Sequence, residues 1–439
     1  MNEPSTDAPV DKLMIPRSAA DIARFQSDRK RWVVRQAMRS PFHAKRLAGI
    51  DIDRLDEPEM WRRIPILDKD ELRALSDQQF YTEFCHPTTA TNGIAEFWRS
   101  GGTTGRPLFY PRSHEDIEAA MLGFSRVFAC AGATAGQRVH ASFPLGIHPA
   151  GQMMARAAER ADLPVLWAGA GTTTPSGLQL ELLHRLGAKV WMGMSSYGLH
   201  LANLADQNGI DLASGAVELV ICSAEPLSAA KREKLERMWG ATVRDSFGMT
   251  EAGMMGAEDG EADGFRVWSD LFLTEVVHPE TREPVVDGEV GALVVTPLMT
   301  ANITPFVRWL SGDLVTQRLN VAGRTPFSVF PVVKHAHRTA GFFKVRGINI
   351  NHAELEDFVF RNPAVNDFKC EALTFADKDV LRVSVELKRG TDADRAVAGL
   401  VGEIRNTFEM QAEIVVLESG TLAREFESSV KAPRIVDRR

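Results

Sequence analysis

Cysteine is scarce in this sequence, which has 4 cysteines among 439 residues. Cys85, Cys130, Cys222 and Cys370 lie far apart and include no C-x-x-C pair. Neither a zinc ribbon nor a disulfide framework is therefore indicated. Reduced thiols in a cytoplasmic protein are the expected state.

Long apolar runs and an excess of basic residues are also missing. A membrane-spanning helix needs roughly 18 uninterrupted apolar residues, whereas the apolar segment 291–299 is short and contains a proline. The N-terminal segment lacks a basic stretch followed by an apolar run, so we expect no secretory leader and no membrane association. Acidic residues outnumber basic ones by 58 to 51, for a net charge of −7, which argues against a generic nucleic-acid binder.

What the sequence does contain is an ordinary globular composition and a clear alternation of element types. A helix capped by Ser18 is predicted up to about Met38, on the surface. From residue 138 onward, short β-type runs alternate with segments of helical length, which predicts an α/β fold with a mostly parallel sheet flanked by helices. The β-type runs are residues 138–143, 164–167, 188–192, 217–222 and 242–247.

The organisation changes twice in the second half of the chain. After about residue 270 the helical segments disappear, which predicts a β-rich, antiparallel appendage. After Arg338 the order becomes β-α-β-β-α-β, starting with a strand over 342–350, which is typical of a compact α+β unit. We therefore predict a large N-terminal domain, 1–337, and a small C-terminal α+β domain, 338–439.

A glycine-rich segment between two β-type stretches is the most informative motif. In Ser100-Gly-Gly-Thr-Thr-Gly-Arg106, the glycines permit inward-pointing N–H groups, and hydroxyls and one guanidinium add donors, so the loop suits a polyphosphate. Its flanks predict a hairpin. The spacing matches neither the P-loop of NTPases nor the dinucleotide fingerprint. A plain surface hairpin is the alternative interpretation.

Other candidate segments are weaker when taken singly. Asp245 to Glu251 follows the last predicted parallel strand, where open α/β sheets bind ligands, and Glu251 could hold Mg²⁺. Ser223 to Pro226 ends the preceding strand in the same way. Asp313 follows a predicted turn and could accept hydrogen bonds from ribose hydroxyls. Ordinary turn chemistry explains the first two segments equally well and explains Asp313 better, and by composition Lys431 belongs to a basic tail.

Together these segments carry a resemblance. Ser100–Pro107, Phe247–Glu251, Ser311–Asp313 and Arg338–Asn349 occur in the order and approximate spacing of the adenylate-forming superfamily. Nearly the whole chain resembles the phenylacetate-CoA ligase family within it. The further matching segments are Ser40–His43, Ile64–Lys69, Ser223–Pro226, Trp268–Phe272, His278–Thr281 and Lys431–Arg434.

The resemblance implies an ATP-dependent, AMP-forming ligase that makes an acyl-adenylate and then a coenzyme A thioester, in a homodimer whose C-terminal domain is mobile. ATP, Mg²⁺ and coenzyme A are the implied cofactor and co-substrates. The implied catalytic residues are Lys431, Glu251 and Thr250, with Glu251 as the metal ligand. The implied nucleotide-binding residues are Ser100, Gly101, Gly102, Thr103, Thr104, Gly105, Arg106, Ser223, Ala224, Glu225, Pro226, Asp245, Ser246, Phe247, Gly248, Met249, Asp313 and Arg338.

The acid would bind beside the adenine, along Phe143, Pro144, Gly146, Ile147 and His148. An aryl or arylalkyl acid suits a mostly apolar wall, and heteroaryl and alicyclic acids are further candidates. His148 is a candidate for recognising a second polar group on the substrate.

The sequence departs from the family pattern at three places and leaves other functions open. Arg106 replaces the usual loop lysine, Ala340-Gly341 replaces two acidic hinge residues, and His337 replaces the glycine before Arg338. The alternatives are a nucleotidyltransferase that adenylylates a deazaflavin, transfer of the acyl group to a carrier protein, and a nucleotide-binding protein without turnover. The acceptor therefore stays open at this point.

Overall fold

The computed structural model describes residues 12–86, 93–100, 107–338, 342–345, 348–375, 378–428 and 434–439. The chain separates into two compact units, each assembled from three stretches of sequence. Unit 1 comprises residues 1–137, 145–165 and 244–336, and unit 2 comprises 138–144, 166–243 and 337–439. The division into domains at residues 337 and 338 stays a prediction.

The bounds of the elements are as follows. The α-helices of the described residues are α1 (Ala19–Ala37), α2 (Pro41–Arg46), α3 (Pro58–Arg62), α4 (Lys69–Arg73), α5 (Asp77–Gln79), α6 (His114–Ala131), α7 (Pro149–Arg160), α8 (Ser176–Leu186), α9 (Ser195–Gln207), α10 (Ala229–Trp239), α11 (His352–Arg361), α12 (Ala393–Phe408) and α13 (Thr421–Ser428). Short 3₁₀ segments cover Ile52–Arg54 and Pro326–Val329, and a π-helical turn covers Phe80–Phe84.

The strands of the described residues are β1 (Glu96–Arg99), β2 (Phe109–Arg112), β3 (Val139–Ala141), β4 (Val165–Trp167), β5 (Val190–Gly193), β6 (Leu219–Ser223), β7 (Thr242–Met249), β8 (Gly253–Ala257), β9 (Phe265–Val267), β10 (Phe272–Val277), β11 (Val290–Pro297), β12 (Trp309–Arg318), β13 (Val332–Arg338), β14 (Phe342–Val345), β15 (Ile348–Asn351), β16 (Val365–Phe375), β17 (Lys378–Leu387), β18 (Ala412–Leu417) and β19 (Ile435–Asp437).

Helix α1 begins where its cap predicts. The Asp21 N–H donates to the Ser18 hydroxyl at 3.1 Å, which satisfies one of the N–H groups left open at a helix start. The helix lies at the surface, as predicted, and Asp28 and Arg35 of its second half are exposed. Val33, Val34 and Ala37 are fully buried in an apolar cluster of unit 1, because the helix presents one apolar face to that core.

The sheet of unit 1 is largely antiparallel. Its strand order is β10-β11-β12-β13-β9-β8-β7, and β10 with β11, β11 with β12, and β7 with β8 pair antiparallel. The predicted β-rich appendage is confirmed, but the change to antiparallel pairing comes earlier than residue 270, at β8. Because β8 is buried at every position, its sequence has no alternation of apolar and polar residues, and the pattern predicted no strand there.

Unit 2 contains the parallel strands. Its first sheet segment has the order β6-β5-β3-β4, and β3 with β5 and β5 with β6 pair parallel, as the alternation of strands and helices predicts. The α/β class is confirmed. The sheets are mixed in direction: the pairs named here are parallel, whereas those named for unit 1 are antiparallel.

The C-terminal stretch of unit 2 differs from the prediction in three places. The strand expected over 342–350 is a hairpin of β14 and β15. Helix α13 was not predicted. The end of the chain is not a frayed tail throughout, because β19 pairs parallel with β16 at Cys370 and Ile435, next to the antiparallel pair β16 and β17. The sheet order is β18-β17-β16-β19.

Two further observations concern the described residues as a whole. No helix within the ranges given above is long and apolar enough to cross a membrane. Cys85, Cys130, Cys222 and Cys370 are free thiols, and all four are buried.

Candidate active site

The glycine-rich loop leaves from a β-hairpin, as its flanks predict. β1 and β2 pair antiparallel, with Glu96 opposite Arg112 and Arg99 opposite Phe109. Ser100 closes the hairpin: its N–H donates to the Leu108 carbonyl at 2.9 Å, and the Leu108 N–H donates to the Ser100 hydroxyl at 3.1 Å. Residues 101–106, which carry the predicted phosphate contacts, lie outside the described residues.

Glu251 lies in the tight turn that joins β7 to β8. The Ala252 N–H donates to the Met249 carbonyl at 3.1 Å across this turn. Gly253 has a φ of +99°, and a Cβ added at Gly248 would lie 2.5 Å from the Gly253 carbonyl oxygen, so the turn requires glycine at both positions. Glu251 therefore lies at the carboxyl end of β7, as predicted, with a fixed backbone.

Strand β2 contacts this turn through two side chains that the sequence did not single out. The Tyr110 hydroxyl donates to Glu251 Oε1 at 2.9 Å. Arg112 Nη2 donates to the carbonyl oxygens of Thr250 at 2.9 Å and Glu251 at 2.6 Å. Tyr110 and Arg112 are two residues apart and therefore share one face of β2. This spacing is the feature of the sequence from which the two residues could have been identified as a pair. The hairpin of the phosphate loop and the acidic turn are thus brought together within unit 1.

Asp313 lies in an irregularity inside β12 and not after a turn, which corrects the prediction. Leu310 pairs with Val294 and Leu314 with Ala292, so Ser311, Gly312 and Asp313 face a single residue of β11. Such bulges redirect side chains and are frequent beside active sites. The Asp313 N–H donates to the Ser311 hydroxyl at 3.0 Å, and the side chain of Asp313 is buried.

The remaining nucleotide candidates of unit 1 lie along β7. Asp245 and Ser246 are buried, and the Asp245 N–H donates to Glu258 Oε2 at 2.8 Å. The Phe247 ring contacts His335 edge to face, with 4.5 Å between ring centroids. His335 thus packs on an aromatic ring, while within the described residues no three His, Cys, Asp or Glu side chains are grouped as a metal site.

In unit 2, the Ser223–Pro226 turn follows β6 as predicted. Ala224 adopts a φ of +69°, a conformation that costs a non-glycine residue on the order of 1 kcal/mol and that is frequent at functional sites. The Glu225 carboxylate caps helix α9, accepting hydrogen bonds from the Ser196 N–H at 3.0 Å and the Ser196 hydroxyl at 2.7 Å. Its immediate role is therefore to fix this turn to a helix N-terminus.

The residues predicted for the acid are distributed over both units. Phe143 and Pro144 belong to unit 2, where Phe143 is buried. Gly146, Ile147 and His148 belong to unit 1; Ile147 is 60% exposed. His148 Nε2 lies 3.0 Å from Nη1 of Arg99, the residue before the phosphate loop. Arg99 is a further candidate that the sequence did not indicate.

Arg338 is the last residue of β13. Lys431 and the segment 339–341 lie outside the described residues. The roles of all these residues therefore remain predictions.

Comparison with known proteins gives the family. The model of the AMP-binding enzyme family matches residues 44–301. The chain is 27% identical to a phenylacetate-coenzyme A ligase of Aromatoleum evansii over 99% of this chain and 98% of that one. It is 29% identical to the phenylacetate-coenzyme A ligase of Thermus thermophilus, over 76% and 74% of the two chains. The crystal structure of 2-hydroxyisobutyryl-CoA ligase with 2-HIB-AMP superposes with a TM-score of 0.84 at 22% identity, covering 100% of this chain and 94% of that one.

This chain belongs to the AMP-binding enzyme family. Within that family of adenylate-forming enzymes, it is similar to phenylacetate-coenzyme A ligases along nearly its full length. The predicted resemblance and the prediction of an enzyme are thereby confirmed.

Proposed function

We propose that this acid–CoA ligase activates an aryl or arylalkyl carboxylic acid with ATP and transfers the acyl group to coenzyme A. The observation that carries the proposal is the contact between the β1–β2 hairpin and the β7–β8 turn, through Tyr110, Arg112 and Glu251. It joins the segment suited to polyphosphate to the carboxylate suited to a cation, and both belong to the motifs that the family shares.

In the first step, a carboxylate oxygen of the acid attacks the α-phosphorus of ATP, the α–β anhydride bond breaks, and pyrophosphate leaves. In the second step, the coenzyme A thiol loses its proton and attacks the acyl carbon, and AMP leaves. Catalysis of such transfers is mainly positioning and stabilisation of phosphate charge. In this proposal Ser100–Arg106 holds the β- and γ-phosphates, Thr250 contacts the α-phosphate, and Lys431 bridges the carboxylate and the α-phosphate.

The other nucleotide contacts follow from the same assignment. Ser223–Pro226 and Asp245–Met249 frame the adenine, Asp313 accepts hydrogen bonds from the ribose hydroxyls, and Arg338 contacts the ribose or phosphate. Glu251 would hold Mg²⁺, and it fits that ion because a carboxylate oxygen is a hard ligand and Mg²⁺ takes its remaining ligands from water and phosphate. When bound, Mg²⁺ neutralises charge on the phosphates.

The acid itself is assigned from two kinds of support. The phenylacetate-coenzyme A ligases named above favour an aromatic acid, and Phe143, Ile147 and Met249 offer apolar side chains. The Arg99–His148 pair favours an acid that carries a second polar group, and it keeps heteroaryl and hydroxylated acids among the candidates. The proposal includes a cytoplasmic location, which the four free cysteines favour. It also includes a homodimer, which the family resemblance favours.

Release of AMP from ATP and Mg²⁺, measured with and without coenzyme A over a panel of aryl, heteroaryl, alicyclic and short-chain acids, tests the function. We expect coenzyme A-dependent turnover with aromatic acids. Turnover confined to short-chain acids would overturn the substrate class. Acid-dependent pyrophosphate exchange without thioester would indicate a carrier protein as acceptor, and absence of turnover with every acid would favour nucleotidyl transfer or binding alone.

A further inference from the structure

Tyr110 is a buried residue that none of the predicted roles uses. Its side chain has no exposed surface, and its hydroxyl donates to Glu251 Oε1 at 2.9 Å. A phenolic hydroxyl is protonated at neutral pH, so it donates this hydrogen bond to the carboxylate.

The ring of Tyr110 is held independently of its hydroxyl. It packs edge to face on Phe306, with 5.2 Å between the ring centroids, and it lies against Phe80 with 6.0 Å between centroids. Removing only the oxygen therefore leaves these packing contacts in place.

Glu251 is fixed from the same strand in two ways. Arg112, on the same face of β2, donates to the Thr250 and Glu251 carbonyls and so fixes the backbone of the turn. Tyr110 fixes one oxygen of the side chain. The Tyr110 hydroxyl occupies Oε1, and in the proposed function Oε2 would bind the cation.

The same hairpin also carries the phosphate loop. Ser100, the first residue of that loop, closes the hairpin through Leu108. Tyr110, on the other strand of the same hairpin, joins it to Glu251 of the acidic turn, and all of these residues belong to unit 1.

We propose that Tyr110 is a positioning residue that orients the Glu251 carboxylate for a divalent cation bound together with ATP. The inference rests on the proposed function. Partners that hydrogen-bond a ligating carboxylate typically contribute about 10- to 100-fold in metal affinity. Tyr110 itself touches neither the cation nor the nucleotide in this assignment.

The test is Mn²⁺ binding to the full-length enzyme in the presence of a non-hydrolysable ATP analogue, followed by electron paramagnetic resonance. We expect Tyr110→Phe to weaken Mn²⁺ binding by about 10-fold, and to raise the Mg²⁺ concentration needed for half-maximal turnover while kcat at saturating Mg²⁺ stays near that of the wild type. Tyr81→Phe is the matched control. The Tyr81 hydroxyl donates to the Phe109 carbonyl on the same hairpin, at 3.3 Å, away from Glu251.

A double-variant comparison separates positioning from packing. If Tyr110 acts through Glu251, Tyr110→Phe has no further effect on Mn²⁺ binding in a Glu251→Gln background. The chain has only 3 tyrosines, so ¹⁹F NMR of fluorotyrosine-labelled enzyme also reports the Tyr110 environment directly. We expect its signal, identified by its loss in Tyr110→Phe, to shift when Mg²⁺ and the nucleotide analogue bind.

Unchanged Mn²⁺ binding in Tyr110→Phe would overturn the proposal. So would an equally large loss of Mn²⁺ binding when Tyr110→Phe is added to Glu251→Gln. A third refuting result is that Mn²⁺ binds the nucleotide analogue equally well with and without the wild-type enzyme. A loss of kcat and of thermal stability without a change in cation dependence would assign Tyr110 a structural role and also overturn it. Because the binding assay contains no acid and no coenzyme A, failure of the proposed substrate or acceptor would not alter its outcome.

Discussion

Removing the ammonium of Lys231 should destabilise unit 2 far more than removing both partners of its ion pair. Lys231 Nζ lies 2.6 Å from Glu356 Oε1, and both side chains are at most 10% exposed. Burial lowers the pKa of Lys231, but Glu356 and Glu225 more than offset this, so the net pKa is above its usual value and the side chain stays charged. The pair joins α10 to α11.

The expected magnitude follows from this geometry. At the separation of 2.6 Å and an effective dielectric constant of about 20, Coulomb attraction is roughly 6 kcal/mol, and most of it offsets the cost of taking both ions out of water. Lys231→Met leaves the buried carboxylate without its counter-ion, which costs about 3–5 kcal/mol. In the double variant Lys231→Met/Glu356→Leu neither charge is buried, so most of that loss should be recovered.

Urea unfolding of Lys231→Met, Glu356→Leu and the double variant, followed by tryptophan fluorescence, to which the buried Trp191 and Trp239 of unit 2 contribute, measures these costs. In Lys231→Met the stranded Glu356 should bind a proton more readily when folded than when unfolded. Its destabilisation should therefore be smaller at pH 5 than at pH 7.5. A cost below about 1 kcal/mol for the single variant, or a double variant as unstable as the sum of the singles, would refute the reasoning.

Three further predictions address the site and the pH dependence of stability. Lys431→Ala should slow adenylation by on the order of 10²- to 10³-fold while affecting thioester formation from supplied acyl-adenylate much less; equal losses in the two half-reactions would exclude that role. Asp313→Ala should raise the KM for ATP by roughly 10-fold or more with a smaller change in kcat, and an unchanged KM would remove it from the ribose site. Burial lowers the pKa of His43 from 6.5 to about 3, so its neutral form is favoured in the fold. The contribution of neutral His43 to the free energy of unfolding is complete above pH 6.5. It is lost as the pH falls toward 3, by about 1.4 kcal/mol per pH unit. His43→Gln, which can keep a donor for the Pro305 carbonyl, should flatten the dependence of the unfolding free energy over that range, and an unchanged slope would contradict this assignment.

The parts of the site that local sequence predicts are those that local chemistry determines. The β1–β2 hairpin is predicted because β-type residues flank a glycine-rich loop. The position of Glu251 is predicted because it follows a buried strand. The parallel strands β3, β5 and β6 are predicted in the same way, from short β-type runs separated by helical segments.

The parts that were missed depend on partners distant in the chain. Tyr110 and Glu251 are 141 positions apart, and nothing in either segment indicates the other. The irregularity at Asp313 exists only relative to its partner strand β11, and β19 is a strand only because β16 accepts it as a neighbour. Long-range pairing of this kind leaves no periodic signal in a short window of sequence.

Unit 2 is built from separate stretches of the chain, and this affects where chimeras between relatives of this enzyme can be joined. Lys231 and Lys234 come from the stretch 166–243, whereas their partners, the Glu356 carboxylate and the Asn366 carbonyl, come from the stretch 337–439. A chimera spliced at residue 337 would therefore pair a foreign α11 with the resident α10 and mismatch buried charges. The exchangeable piece is the C-terminal stretch together with Ala229–Trp239, so grafts that transfer both segments should keep their stability where the simple splice loses it.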